Sequence, residues 1–398
     1  MTATIVLQQR WKEPWILGTP NNDFWRQLTQ FQAKFQAQQP QDILLVEPDP
    51  ICFLAAFLAA CQQPSRIWLA NPQWGLQEWQ QVADQCCPDA IVGQVPNAAW
   101  DDSSYSPIEK RETFPPGDEQ TQIFIPTGGS SGSIRFAVHT WGTLTASVQG
   151  FQQHCQCDSV NAYCVLPVFH VSGLMQAMRC LLSGGQLVIQ PWRSLLTDGP
   201  IAPPPKRLFL SLVPTQLQRL LQSDWDVAPW LRQFTAILLG GAPAWPTLLQ
   251  TARDLRLPLA PTYGMTETAS QVATLLPQEF LAGNTSSGRS LPHADIRIYD
   301  ATGNSLPTNK TGWITIKSAS LAPRYEHTAL VQPFQSGDLG YLDPAGYLHV
   351  VGRGNTLIIT GGEKVLPEEV EQAIVKTGLV QDVVVVGIPD EIWGEAVV

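Results

Sequence analysis

The chain has 398 residues, 44% apolar and only 15% charged, and 24 basic against 34 acidic side chains give a net charge of −10. A length well beyond one ordinary core of about 100–150 residues predicts two or three subdomains, and the apolar content excludes a disordered, solvating chain. The acidic balance, with no Lys/Arg-rich run, argues against nucleic-acid binding; an acidic protein binds phosphates locally, through backbone N–H groups and a metal ion.

The opening MTATIVLQQRWKEPW has no basic stretch followed by an apolar one. The most apolar run, residues 51–61, falls far short of the roughly 20 residues that span a bilayer. A cytoplasmic protein without a membrane span is expected, and its eight cysteines are expected as reduced, mostly buried thiols. His154, Cys155, Cys157 and Cys164 match no common zinc spacing.

Along the chain, residues 42–46 (DILLV) read as a strand, 52–61 as a buried helix, 66–70 (RIWLA) as a strand, 76–86 as an amphipathic helix and 90–92 as a strand. Strands alternating with helices predict a mostly parallel α/β sheet. A polar, Pro-containing stretch at 96–117 separates this region from a second series that begins with the strand 122–126 and includes the buried strands 208–213 and 236–239. After Gly288, short β segments at 296–299, 313–317 and 346–351 between turn residues predict a small β-barrel or distorted sheet. A partial α+β piece follows: a strand near 357, a helix at 367–376 and a strand at 382–386. The expected division is a large domain of residues 1–352, with α/β subdomains of about 1–120 and 121–285 and the β piece at 286–352, then an incomplete domain at 353–398.

Four loops carry chemistry. Thr127, Gly128, Gly129, Ser130, Ser131 and Gly132, followed by Ser133, combine glycines that let N–H groups approach an anion with hydroxyl donors, a composition suited to a polyphosphate. No GK[ST] follows, so this is not a Walker A loop, and taken alone such a loop is more often a plain flexible turn than a phosphate cradle. Tyr263, Gly264, Met265, Thr266 and Glu267 offer an aromatic face, a hydroxyl and a carboxylate for Mg²⁺, or else a capped helix start. Gly240, Gly241, Ala242 and Pro243 form a third turn after a buried strand. Asp338 in SGDLG, with Arg353 downstream, suits a vicinal diol or an ordinary Asp turn. Gly-bearing loops that each follow an apolar strand fit one shared crevice, because ligands of open parallel sheets collect at the carboxyl ends of strands.

These loops, with LPVFHVSG at 166–173 and GRGNTLIITGGEKVLPEEVE at 352–371, resemble in composition and order the acyl- and aryl-CoA synthetase family of adenylate-forming enzymes. PVFHVSGLMQAMR and SLVPTQLQRLL are most similar to the subgroup acting on o-succinylbenzoate in menaquinone or phylloquinone biosynthesis. The resemblance implies an ATP-dependent ligase: an aromatic acid attacks the α-phosphorus of ATP, and CoA, the co-substrate, then displaces AMP. It implies that residues 127–132 cradle the β- and γ-phosphates, that Thr266 meets the α-phosphate and that Glu267 holds Mg²⁺. Gly240, Gly241, Ala242, Pro243, Tyr263, Gly264 and Met265 would surround the nucleotide, with Asp338 and Arg353 at the ribose. His170, Ser172 and Gly173 would border the acid. Arg179 would pair with a second carboxylate of the acid, or else be a structural or surface arginine.

The chain departs from the family pattern at three points. The phosphate-loop lysine position carries Arg135, and the hinge position carries Asn355. The family's catalytic lysine belongs to a C-terminal domain of about 100 residues, a typical small-domain size, and Lys364 is not that residue. The competing expectations are a ligase for another aryl or acyl acid and a nucleotide-binding protein without turnover. A homodimer stays open.

Overall fold

A computed structural model of the chain describes residues 2–17, 23–96, 121–128, 133–201, 207–326, 328–354, 358–360, 363–365, 367–375, 377, 379–380, 383–390 and 393–398. Two α/β sheets dominate. The larger orders β1 (Ile16–Leu17), β8 (Leu187–Ile189), β7 (Asn161–Cys164), β9 (Leu208–Leu212), β10 (Ala236–Leu239), β11 (Leu259–Met265), β12 (Ser270–Thr274) and β13 (Arg289–Ser290). Pairing is parallel from β1 through β11 and antiparallel at β12 and β13. The second orders β16 (Arg324–Tyr325), β6 (Ile134–Thr140), β5 (Gln122–Gly128), β3 (Arg66–Leu69), β2 (Asp42–Val46) and β4 (Ala90–Gly93). Here β5, β3, β2 and β4 are parallel, while β6 and β16 run antiparallel. Thus β5 and β6, beyond residue 120, complete the sheet of the N-terminal strands, and β1 joins the other sheet.

Alternation along these strands sets the layers. Ile43 and Leu45 of β2 face a core shared with β7 and with the helices Pro50–Ala60 and Val171–Ser183. Leu44 and Val46 face the opposite way, onto Trp68, Trp79 and Phe124. Both faces are apolar because helices cover both, as parallel sheets require. The helix Pro50–Ala60 is buried nearly all round, so its sequence needs no polar face. The eight cysteines carry free thiols, five of them buried.

Of the two forms expected after Gly288, the structure shows the distorted sheet. β14 (Ala294–Tyr299), β15 (Gly312–Ser318), β17 (Phe334–Leu342) and β18 (Leu348–Arg353) are antiparallel with register shifts, and pairing does not close β18 onto β14 among the described residues. The C-terminal piece is a sheet ordered β20 (Glu363–Val365), β19 (Ile358–Thr360), β22 (Gly394–Val397) and β21 (Gly387–Asp390), with the helix Pro367–Val375. The expected strand at 382–386 is corrected. Val383–Val386 carries no strand, and the antiparallel pair β21–β22 lies downstream. Val385 spends its N–H on Glu371 instead of a ladder partner. Among the described residues no helix is long and apolar enough to cross a membrane.

Candidate active site

β9, β10 and β11 end side by side, and beyond their carboxyl ends lies a cavity of about 510 Å³. Gly240 and Gly241 form its wall after β10. Gly241 has φ +82°, a left-handed conformation that only glycine adopts without strain. Ala242 and Pro243 are exposed next to it and are not part of the wall.

β11 then brings Gly264 and Met265 to the wall, followed by Thr266 and Glu267 in a single 3₁₀ turn, Thr266–Thr268. Thr268, not Thr266, caps this turn by accepting from the Met265 N–H at 3.1 Å, so the Thr266 side chain is left to the cavity. Glu267 is buried to 8% exposure; its Oε1 accepts from Tyr325 Oη at 2.7 Å and, at 3.5 Å, from Thr127 Oγ1. The three residues come from three different strands or turns. Thr127 lies near the end of β5, while Gly129, Ser130, Ser131 and Gly132 fall outside the described residues. Arg135, on the returning strand β6, also lines the cavity, its guanidinium 3.6 Å from the Tyr325 ring centroid.

Tyr263 does not reach the wall. Its buried phenol donates to Asp338 Oδ2 at 2.7 Å, and burial together with the Asp338 charge pushes its pKa well up. The β17–β18 register places Arg353 opposite Asp338, with Nε 3.0 Å from Oδ1. Arg353 lines the cavity and Asp338 sits buried behind it.

On the remaining side the helix Val171–Ser183 starts directly after His170. His170, Val171 and Ser172 line the cavity at the positive end of this helix. The His170 side chain makes no cap hydrogen bond, and burial lowers its pKa, favouring neutral imidazole. Gly173, expected beside the acid, is instead a packing residue. A methyl there would stand 2.2 Å from the Pro167 carbonyl oxygen. Arg179 does not line the cavity either. It is 3% exposed and donates to Ser270 Oγ at 2.9 Å and Gln271 Oε1 at 2.6 Å, two residues that do line it.

The profile of the AMP-binding enzyme family matches residues 23–326. The chain belongs to that family. It is 32% identical over 324 residues to the 2-succinylbenzoate–CoA ligase of Listeria monocytogenes, an overlap of 77% of this chain and 64% of that one. With the Listeria innocua enzyme of the same name it is 35% identical, over 69% of this chain and 58% of that one. The chain thus spans less than two thirds of the length of these relatives. The fold is that of o-succinylbenzoate CoA synthetase from Bacillus subtilis in complex with the acyl-adenylate OSB-AMP: TM-score 0.81, 22% identity, 98% of this chain and 86% of that one. ATP-bound MatB from Rhodopseudomonas palustris shares it at TM-score 0.78 and 20% identity, over 100% and 88% of the two chains.

In this family member, sequence reasoning missed Tyr325, Ser270, Gln271 and His139. His139 is fully buried on β6; Nε2 donates to the Thr266 carbonyl at 2.8 Å and Nδ1 meets Thr143 Oγ1 at 3.0 Å. It fixes the backbone one residue before Glu267. A lone polar residue in the apolar run FAVH was the available signal. Burial lowers its pKa to about 4. Between about pH 6.5 and 4 the unfolded chain binds a proton that the folded one refuses, so stability falls as pH drops through this window, by up to about 3 kcal/mol. Melting temperatures of wild type and His139→Gln across pH 4.5–7 should show a shallower slope in the variant; parallel slopes would remove His139 from the account.

Proposed function

We propose that the chain is the ATP- and acid-binding part of an AMP-forming acid–thiol ligase that converts an aromatic acid, o-succinylbenzoate being favoured, to its CoA thioester. The observation that carries this reading is the convergence on one cavity of Thr127 at the Gly/Ser loop, the tied carboxylate Glu267 and the helix start at His170. The names of the relatives support the choice of acid.

The first step joins an anion to a polyanion, so charge and orientation set its barrier. The acid carboxylate forms a bond to the α-phosphorus of ATP as the bond to pyrophosphate breaks. Thr127 and the loop after it hold the β- and γ-phosphates, Thr266 holds the α-phosphate, and Arg135 supplies a cation from the loop's far strand. One carboxylate with two neighbouring threonine hydroxyls suits Mg²⁺, which keeps several waters and takes few protein ligands beside substrate phosphates. When bound, it supplies charge neutralisation for the phosphates. Gly240 and Gly241 leave room for the nucleotide, and Arg353, anchored by Asp338, serves the ribose. Neutral His170 and the helix N-terminus orient the carboxylate without protonating it. The acyl-adenylate then yields the thioester and AMP on attack by the CoA thiol.

On this reading residues 1–352 form the binding body and 353–398 begin the smaller domain. The reaction is cytoplasmic, and its partners are small molecules, not nucleic acid; sedimentation decides between monomer and homodimer. The test is o-succinylbenzoate-dependent ATP–pyrophosphate exchange beside a panel of other aromatic and medium-chain acids, with ATP binding measured in parallel. Exchange fastest with o-succinylbenzoate is expected. Exchange with another acid changes the substrate, and ATP binding without exchange on any acid leaves a nucleotide-binding protein.

A further inference from the structure

The turn that carries Glu267 is clamped from two sides. His139 Nε2 donates to the Thr266 carbonyl at 2.8 Å. On the other side the Ala322 N–H donates to the Glu267 carbonyl at 2.7 Å, and Ser320 Oγ donates to the Thr268 carbonyl at 2.8 Å. The segment 320–325 therefore lies against the turn and ends in Tyr325. Tyr325 is fixed in its own right. Its strand β16 pairs with β6, its N–H donates to the Thr328 carbonyl at 2.8 Å, and the Arg135 guanidinium stands 3.6 Å from its ring centroid. A cation over an aromatic face favours one ring orientation, so the position of the phenol oxygen is set by the fold.

That placement makes the two oxygens of Glu267 unequal. Oε1 accepts from Tyr325 Oη at 2.7 Å and has Thr127 Oγ1 at 3.5 Å. Oε2 accepts no hydrogen bond from the described residues, and Glu267 lines the cavity. Burial and the Glu267 charge push the Tyr325 pKa up, so the phenol keeps its proton and donates. A hydrogen bond to a charged acceptor is among the strong ones. Recruiting Oε1 as a second metal-ligating oxygen would mean giving that bond up.

Divalent cations differ in how much they need a second oxygen. Magnesium demands near-ideal octahedral geometry, and the two oxygens of one carboxylate subtend far less than a right angle at a metal, so it takes one of them. Calcium has a larger, more flexible shell of about 6–8 oxygens and readily takes both. The geometry points to Tyr325 as a metal-specificity residue: by holding Glu267 Oε1 it limits the carboxylate to one ligating oxygen, which favours Mg²⁺ over Ca²⁺. Tyr325 is a positioning residue in this, acting through Glu267. The inference rests on the reading of Glu267 as the metal carboxylate.

The test follows Mn²⁺ by electron paramagnetic resonance on the full chain with the β,γ-methylene analogue of ATP, and displaces it with Mg²⁺ or Ca²⁺. Tyr325→Phe keeps the ring under Arg135 and removes the hydroxyl. It should lower the ratio of the Ca²⁺ to the Mg²⁺ dissociation constant about tenfold, the scale of one hydrogen bond to a charged group. The nucleotide's own preference is common to both proteins and cancels, and metal-free AMP binding shows that the variant is folded. Infrared difference spectra read the same point directly, because the two carboxylate stretches draw together when both oxygens bind one metal. The Glu267 bands, assigned by their loss in Glu267→Gln, should show one-oxygen binding for Mg²⁺ and Ca²⁺ in the wild type and two-oxygen binding for Ca²⁺ in Tyr325→Phe. The wild-type spectra also serve if Tyr325→Phe does not fold. An unchanged ratio in Tyr325→Phe, whether both affinities fall together or neither moves, or two-oxygen Ca²⁺ binding in the wild type would overturn the inference. Equal Mn²⁺ affinity in the wild type and Glu267→Gln would instead overturn the metal-site reading itself.

Discussion

Glu267→Gln should lower acid-dependent ATP–pyrophosphate exchange by about two to three orders of magnitude, the scale of losing one electrostatic stabiliser at a reacting centre. The substitution is selective. The amide oxygen still accepts from Tyr325 Oη, which Glu267 Oε1 meets at 2.7 Å, so shape and local packing persist. What disappears is one negative charge in a wall where Arg135 and Arg353 supply cations. If the charge is there to hold a divalent ion, ATP binding without magnesium should survive and the magnesium requirement should rise steeply. Manganese binding followed by electron paramagnetic resonance, with ATP present, reads this independently of turnover. Unchanged exchange together with unchanged manganese affinity would remove Glu267 from the metal site.

The residues legible in the sequence are those whose signal is local. Residues 42–46 and 236–239 were readable to the residue as strands because apolar runs bounded by polar turns have few alternatives. The helix expected at 52–61 begins at Pro50, because Asp49 caps it by accepting from the Cys52 N–H at 2.7 Å and proline suits the first helical turn. The Gly-bearing turns could be assigned to one crevice because each follows an apolar strand, and ligands of open parallel sheets collect at the carboxyl ends of strands. Tyr325 could not. It reaches Glu267 only because β16 pairs with β6, placing Tyr325 opposite Ala137, nearly half the chain away in sequence. Arg179 shows the same limit from the other side. The direction of its side chain depends on β12 folding back antiparallel on β11. Tyr263 looked like a purine platform by residue type, and only the pairing that brings Asp338 within 2.7 Å shows that its hydroxyl is taken.

The antiparallel return of β12 also makes Gly264 a position of the cavity wall where a single methyl should do great harm. Gly264 pairs with Gln271 at a register shift, and a Cβ there would stand 2.3 Å from the Ser270 carbonyl oxygen and 2.5 Å from Gln271 Cα. Both are backbone atoms, so no rotamer change relieves the clash and β12 itself must move. Overpacking of this kind costs about 3 kcal/mol, which lowers the melting midpoint by roughly 6–12 °C in a domain of about 150–250 residues. Gly142→Ala is the control: its methyl meets only Thr140 Oγ1 at 3.5 Å in the first turn of a helix, and replacing glycine there should be neutral or gain up to about 1 kcal/mol. Because β12 carries Ser270 and Gln271, Gly264→Ala should weaken an acyl-adenylate analogue more than AMP in whatever fraction stays folded. A melting temperature equal to wild type would mean that the two strands are not in the close contact described, and the placement of Gln271 on the cavity wall would fall with it.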